Sequence, residues 1–162
     1  MKGRVETSVV YTRAAVLVAR AEEGLDLPSV LQKLADHVYT EDEIDAPIAS
    51  SSRAPDAVVV VPCSQTMLAK IAHGIGDTLA SRVVLNALRL RRRVVIVYRE
   101  TPISIIDALN MLLASLAGAV ILPAAPAFYH KPKTVQDLVD FIVGKILDVL
   151  GIQHNLYRRW RA

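Results

Sequence analysis

Three short apolar runs constrain the fold more than any other feature. Residues 57–61, 93–98 and 119–122 are dominated by valine, isoleucine, leucine and alanine, without the polar alternation of a half-exposed strand. Such runs are expected of strands covered on both faces, the condition of a parallel sheet flanked by helices. Helical patterns separate them, so the chain is expected to build β-α units with right-handed crossovers. A β-branched strand over residues 6–11 leads into a helix from about Thr12 to Glu23 that ends at Gly24. A second helix begins near Leu27-Pro28-Ser29, and residues 37–39 offer a short strand. The polar stretch 40–55 reads as a loop or flap. Ser64 is placed to cap the helix after the first valine run, Asp77 the next helix, and Thr101-Pro102 the one after that. Gly118 closes that helix, and Thr134 with Asp137 has the spacing of a capping box for the last one, which stops at Gly151.

A chain of 162 residues suits one domain, so residues 1–162 are expected to form a single unit with 152–162 as a docking tail on a neighbouring subunit. The hydrophobic share of 52% and mean hydropathy of +0.34 exceed the needs of a small core, which points to an oligomer. Asp107, Asn110, Ser115 and Gly118 interrupt the longest apolar stretch, so no membrane span is expected. No secretory signal is expected at the N-terminus either. Cys63 is the single cysteine, which fits a reducing cytoplasm and excludes a cysteine metal cluster. His37, His73, His130 and His154 have no metal-ligand spacing, and Cys63 reads as a core residue. The net charge of +3 suits a few bound phosphates better than a nucleic-acid footprint, and Arg91, Arg92 and Arg93 suit a helix C-terminus.

In a parallel sheet, ligands collect where strand ends meet helix N-termini and their free N–H groups. Here the candidates are Thr12-Arg13, Cys63 to Thr66, Arg99-Glu100-Thr101 and the loop 123–133. Gly74-Ile75-Gly76 is not a dinucleotide fingerprint, since it follows a helix and lacks the third glycine.

Four segments carry a family resemblance. Ala-Pro-Asp-Ala-Val-Val-Val-Val-Pro-Cys-Ser from Ala54, Arg-Glu-Thr-Pro from Arg99, Ile-Leu-Pro-Ala-Ala-Pro-Ala-Phe-Tyr-His-Lys-Pro from Ile121, and Asp-Leu-Val-Asp-Phe-Ile-Val-Gly-Lys-Ile-Leu-Asp from Asp137 resemble the UbiX family of flavin prenyltransferases. The resemblance implies a Rossmann-like, three-layer flavoprotein sheet with helices on both faces. It also implies transfer of a dimethylallyl group from dimethylallyl phosphate to reduced FMN without a metal. The product, prenylated FMN, would serve a UbiD-type decarboxylase. The family assembles as dodecamers with sites between subunits. Matched position by position, the FMN-contacting residues are Thr12, Ser64, Gln65, Thr66, Met67 and Arg99. The allylic phosphate would be met by Ser50, Arg82, Arg89, Tyr129 and Lys145, with Trp160 as an aromatic neighbour. Glu100 and Glu22 match acids with proton-transfer roles, and Tyr129 also counts among the catalytic group.

Three departures accompany the resemblance. Against the family pattern the sequence is expected to start at the second strand, without the first β-α unit and its Gly-Ala-Ser-Gly loop, and truncation relative to the functional protein is the leading explanation. Lys145 stands in place of arginine and Arg89 in place of lysine, which keeps charge but removes a bidentate fork at residue 145. Met67 replaces a threonine. The alternatives are a silent or incomplete subunit that oligomerises without turnover, and a related flavin-dependent decarboxylase. Nucleic-acid binding through the arginine cluster would show strong salt dependence.

Overall fold

The computed structural model describes residues 5–160. Five parallel strands alternate with helices, in two sheets. Strand β1 (Ser8–Tyr11) pairs with β2 (His37–Thr40), whereas β3 (Ala57–Cys63), β4 (Arg93–Tyr98) and β5 (Ala119–Pro123) form a second sheet in that order. Helices α1 (Arg13–Glu23) and α2 (Leu27–Leu34) join the first two strands. Helices α3 (Gln65–Ala72) and α4 (Leu79–Arg89) connect β3 to β4, α5 (Ile105–Leu116) connects β4 to β5, and α6 (Val135–Leu150) follows β5. The stretch expected to be a loose flap holds single 3-10 turns at Pro47–Ala49 and Ser51–Arg53.

Both faces of β4 are covered. On one, Val94, Ile96 and Tyr98 pack with Leu68 and Ile71 of α3, Val84, Ala87 and Leu88 of α4, and Ala114 of α5. On the other, Val95 and Val97 meet Ile146, Ile142 and Val149 of α6. Side chains that alternate along a strand reach opposite faces, so a continuous apolar run fits this two-sided burial. Leu79 and Val83 of α4 pack against Val10 of β1 and Val58 of β3, so one helix covers both sheets. Among the described residues no strand pairs with the inner edges of β1 and β3. The resemblance places its additional strand in that part of the sheet.

The capping expectations divide by local competition. Ser64 Oγ accepts from Met67 N, and Thr134 with Asp137 forms the expected box. Asp77 does not cap α4, because its carboxylate is engaged by Lys70 Nζ at 2.9 Å; Thr78 caps instead, in a box with Ser81. Helix α5 does not open at Thr101-Pro102. Its cap is Ser104, whose Oγ accepts from Asp107 N at 3.2 Å while Asp107 Oδ2 accepts from Ser104 N at 2.8 Å. Strand β3 runs through Pro62 to Cys63 rather than stopping before them, and β1 starts at Ser8.

Apolar surface remains on α5. Ile105, Ile106, Leu109, Leu112 and Leu116 are each more than half exposed, with Ile105 at 74%. A helix that leaves this much apolar area in water fits a protein that assembles with copies of itself. No helix among the described residues is long and apolar enough to cross a membrane.

Candidate active site

Parallel strands deliver their C-terminal residues to one edge of the sheet, and the site is built there. Thr12 follows β1 and caps α1, its Oγ1 accepting from Ala15 N at 3.1 Å. Ser64 follows β3, and Arg99 with Glu100 follows β4. Two hydrogen bonds tie these last two ends together: Arg99 N donates to Cys63 O at 3.2 Å, and Gln65 N donates to Glu100 Oε1 at 3.3 Å. The Gln65, Thr66 and Arg99 side chains make no hydrogen bond or ion pair among the described residues. Met67 follows in the first turn of α3. Its side chain packs on the core beneath α3 and its N–H is given to Ser64 Oγ, so it presents no polar group to a ligand. Cys63 is fully buried, and burial together with the Glu100 charge pushes its thiol up to about 12, which leaves it inert at neutral pH.

A cavity of about 330 Å³ gathers Ala49, Gly76, Arg82, Leu85, Asn86 and Arg89. Arg82 Nε donates to Gly76 O at 3.0 Å, Arg89 Nη1 donates to Asn86 Oδ1 at 3.0 Å, and Asn86 Nδ2 donates to Ala49 O at 2.8 Å. These bonds hold both guanidiniums in place and leave further N–H groups for an anion. Ser50 follows Ala49 directly, its hydroxyl 2.9 Å from that of Ser52. Of the predicted residues, Arg82 and Arg89 therefore line one cavity, and Ser50 adjoins its Ala49 in the chain. Asn86, which sequence alone does not single out, is buried and links Arg89 to the Ala49 carbonyl.

A second cavity, of about 190 Å³, is lined by Tyr129, His130, Arg158, Arg159 and Trp160. Tyr129 and Trp160 meet edge to face with ring centroids 5.1 Å apart. His130 lies parallel to Phe141 at 5.1 Å, and both its ring nitrogens are buried without a partner. Lys145 Nζ sits 5.3 Å from the Phe141 ring centroid and 5.1 Å from that of Tyr157. Its pKa is raised, chiefly by hydrogen bonding to Tyr157. Asp148 accepts from Tyr157 OH at 2.6 Å, Arg159 Nη2 at 2.7 Å and His154 Nε2 at 3.0 Å. Arg159 and then Tyr157 hold its carboxyl well below the usual carboxylate range. Among these, sequence alone reads Tyr157 and Arg159 only as part of the docking tail 152–162 and gives Asp148 no role. The spacing that could have found them is an acid in the last turn of a helix followed by an aromatic and basic run.

Not every predicted residue joins these groups. Glu22 is exposed in the last turn of α1. It stands ten residues beyond Thr12, roughly 15 Å along the helix axis. The two cavities share no lining residue within one chain.

The geometry is that of a flavoprotein sheet with anion-binding loops, and the comparisons agree. The flavoprotein family model matches residues 1–147. Flavin prenyltransferase UbiX of Saccharolobus solfataricus is 42% identical over 159 residues, covering 97% of this chain and 79% of that protein. The chain belongs to the UbiX family. Another UbiX, from Thermoplasma acidophilum, is 43% identical over 96% of this chain and 86% of its own length. Among solved structures, AnUbiX (PadA1) in complex with FMN and dimethylallyl pyrophosphate superposes with a TM-score of 0.93 at 41% identity, covering 98% of this chain and 84% of that one. A dodecameric FMN-dependent UbiX-like decarboxylase from Escherichia coli O157:H7 has a TM-score of 0.94 at 36% identity, covering 99% and 86%.

The residue types at the strand ends of this chain fit a flavin. Hydroxyls on Thr12, Ser64 and Thr66, the Gln65 amide and an Arg99 guanidinium with no partner among the described residues are the donors and acceptors available there for its polar edges. No group of three or more His, Cys, Asp or Glu that could hold a metal occurs among the described residues.

Proposed function

We propose that this protein is a flavin prenyltransferase that transfers the dimethylallyl group of dimethylallyl phosphate to reduced FMN, giving prenylated FMN for a UbiD-type decarboxylase. The observation that carries the reading is the Tyr129–Trp160 pair at 5.1 Å beside cationic side chains, in a chain whose curated relatives are flavin prenyltransferases. Aromatic faces next to cations suit an allylic phosphate, whose carbon end turns cationic as its oxygen end gains charge.

Reduced FMN supplies the nucleophilic N5 and C6 positions. Thr12, Ser64, Gln65, Thr66 and Arg99 hold its polar edges. Arg82, Arg89, Lys145, Ser50 and the Tyr129 hydroxyl receive the phosphate as the allylic C–O bond breaks and its electron pair leaves on oxygen. Such donors accelerate the step because they are fixed before charge develops. Tyr129 and Trp160 present ring faces to the allylic fragment. Ring closure needs one proton added to the allylic double bond and one lost from C6, so it is proton-neutral, and Glu100, held at the flavin loop by the Gln65 N–H, would take the proton from C6. The two cavities and Glu22 combine across subunits, in an assembly sealed by the apolar face of α5. Lys145 binds the phosphate as a point charge, without the fork an arginine would offer.

A second reading, an incomplete subunit that assembles without turnover, is favoured by the unpaired inner edges of β1 and β3. Anaerobic incubation of the chain with reduced FMN and dimethylallyl phosphate, read by mass and absorbance, separates the two. Prenylated flavin is the expected product. Intact assembly with bound FMN but no product would support the second reading.

A further inference from the structure

Asp148 gathers more partners than any other carboxylate described, and three of them belong to the segment after α6. Its Oδ1 accepts from His154 and Arg159, and its Oδ2 accepts from Tyr157. Lys145 Nζ lies 4.0 Å from Oδ2. One turn earlier on the same helix, Gly144 leaves space that a side chain would take: an added Cβ would sit 2.5 Å from Tyr157 Cε1 and 2.7 Å from His154 Cε1. The Tyr157 ring thus lies directly on the α6 backbone, with the Lys145 ammonium on one side and the Arg159 guanidinium 5.8 Å from its centroid. Trp160 follows Arg159 in sequence and meets Tyr129 edge to face, yet remains 65% exposed. Little apolar burial holds the indole where it is.

We propose that Asp148 is a positioning residue: through Tyr157 and Arg159 it latches the 152–160 segment onto α6, and this sets Trp160 against Tyr129 at the cavity. The inference rests on the reading that this cavity takes the allylic phosphate. The charge and the notch act together. Arg159 and Tyr157 give Asp148 two strong, short contacts, and charge-assisted bonds of this kind hold geometry better than neutral ones. Gly144 allows the close approach that brings the phenol to the carboxylate. Asp148 itself lines neither cavity, so its influence on the ligand passes through the residues it holds.

Trp160 is the single tryptophan, so its fluorescence reports the latch without any turnover. In Asp148→Asn we expect the emission maximum to move to the red and acrylamide quenching to rise about twofold, with the urea midpoint close to wild type. The KM for dimethylallyl phosphate should rise about tenfold, the loss of one charge-assisted contact, while the KM for reduced FMN stays within about twofold. Gly144→Ala leaves the carboxylate in place and displaces the Tyr157 ring, so it should give the same emission change, and it serves if Asp148→Asn fails to fold. Unchanged Trp160 emission and quenching in a folded variant of either kind would overturn the latch. A wild-type chain that makes no prenylated flavin would instead overturn the prenyltransferase reading, and the fluorescence comparison would still decide the latch.

Discussion

The two parts of the sheet use similar sequences to different ends. In β4 every residue from Val94 to Tyr98 is buried, between α3, α4 and α5 on one side and α6 on the other. In β1 and β2 no residue is fully buried, and β1 has a hydrogen-bonded neighbour on one side only. Strand β3 lies between these extremes. Its run of four valines reads like β4, yet Val58, Val59 and Val60 are half-buried and Val61 is 58% exposed. A continuous apolar run therefore marks a strand suited to cover on both faces and both edges. Whether this chain provides that cover depends on neighbours the run does not encode. The three-stranded half is consolidated by its own residues, and the two-stranded half is consolidated less.

The largest expected effect is in β4. Ile96→Ala removes a fully buried side chain from the densest part of the core and should cost about 2–5 kcal/mol, read as a lower urea midpoint. A cost under about 1 kcal/mol would mean that the core around β4 can collapse, and the contrast between the halves would lose its basis.

A smaller loss is expected at Tyr98, whose buried hydroxyl donates to Asp107 Oδ1 at 2.7 Å. Tyr98→Phe should cost about 1 kcal/mol, because Asp107 keeps the Ser104 hydroxyl and amide. The same cluster gives an acid dependence. Hydrogen bonds from Ser104 and then Tyr98 hold Asp107 below its ordinary value of 3.8. A carboxyl lowered in the folded state adds stability above its unfolded pKa and loses it as pH falls through the folded value. Urea midpoints should therefore decline below about pH 4, and less steeply in Tyr98→Phe, which removes one cause of the shift. Parallel pH curves for the two proteins would assign the acid sensitivity to other carboxylates.

Much of this was legible in the sequence, and particular residues show why the rest was not. The buried runs, the Ser64 cap, the Thr134–Asp137 box and the helix ends at Gly24 and Gly151 are local signals, and the structure contains them. Asp77 and Thr101 were misread because both are good cap residues with a better one close by. Asp77 is claimed by Lys70 from another helix, a tertiary contact that spacing does not reveal. The matched residues Arg82 and Arg89 line one cavity and Tyr129 and Trp160 another, a separation within one chain that matching by position could not show. Met67 is matched to the flavin loop by position, and its partly buried side chain packs against the core. The Asp148 cluster escaped because its members are spread over α6 and the following turn, with no periodic pattern to join them.

In the two-stranded half, Val10→Ala trims a side chain of β1 that is half-buried against Leu79 and Val83. The expected cost is below about 1 kcal/mol, because the truncated site is open to water and leaves no sealed cavity. A loss as large as that of Ile96→Ala would show that β1 is sealed in the assembled protein, and would place the missing cover at its inner edge.

The smallest effect is expected from Arg13, which pairs with Asp42 at 2.7 Å across the start of α1. Both side chains are well exposed, at 79% and 60%, so solvent and salt screen their attraction and ordering them offsets the gain. The neighbouring bond, Arg13 N to Glu41 Oε1, belongs to the backbone and survives the substitution. Asp42 raises the Arg13 pKa, but the guanidinium is charged throughout the accessible range with or without that shift, so no pH dependence follows. Arg13→Ala should leave the urea midpoint unchanged at both low and high salt. If the midpoint instead falls further than in Val10→Ala, and the fall disappears in high salt, then charge rather than packing holds the two-stranded half together. The contrast with β4 would then be one of interaction type, dry packing against surface electrostatics, and not one of degree.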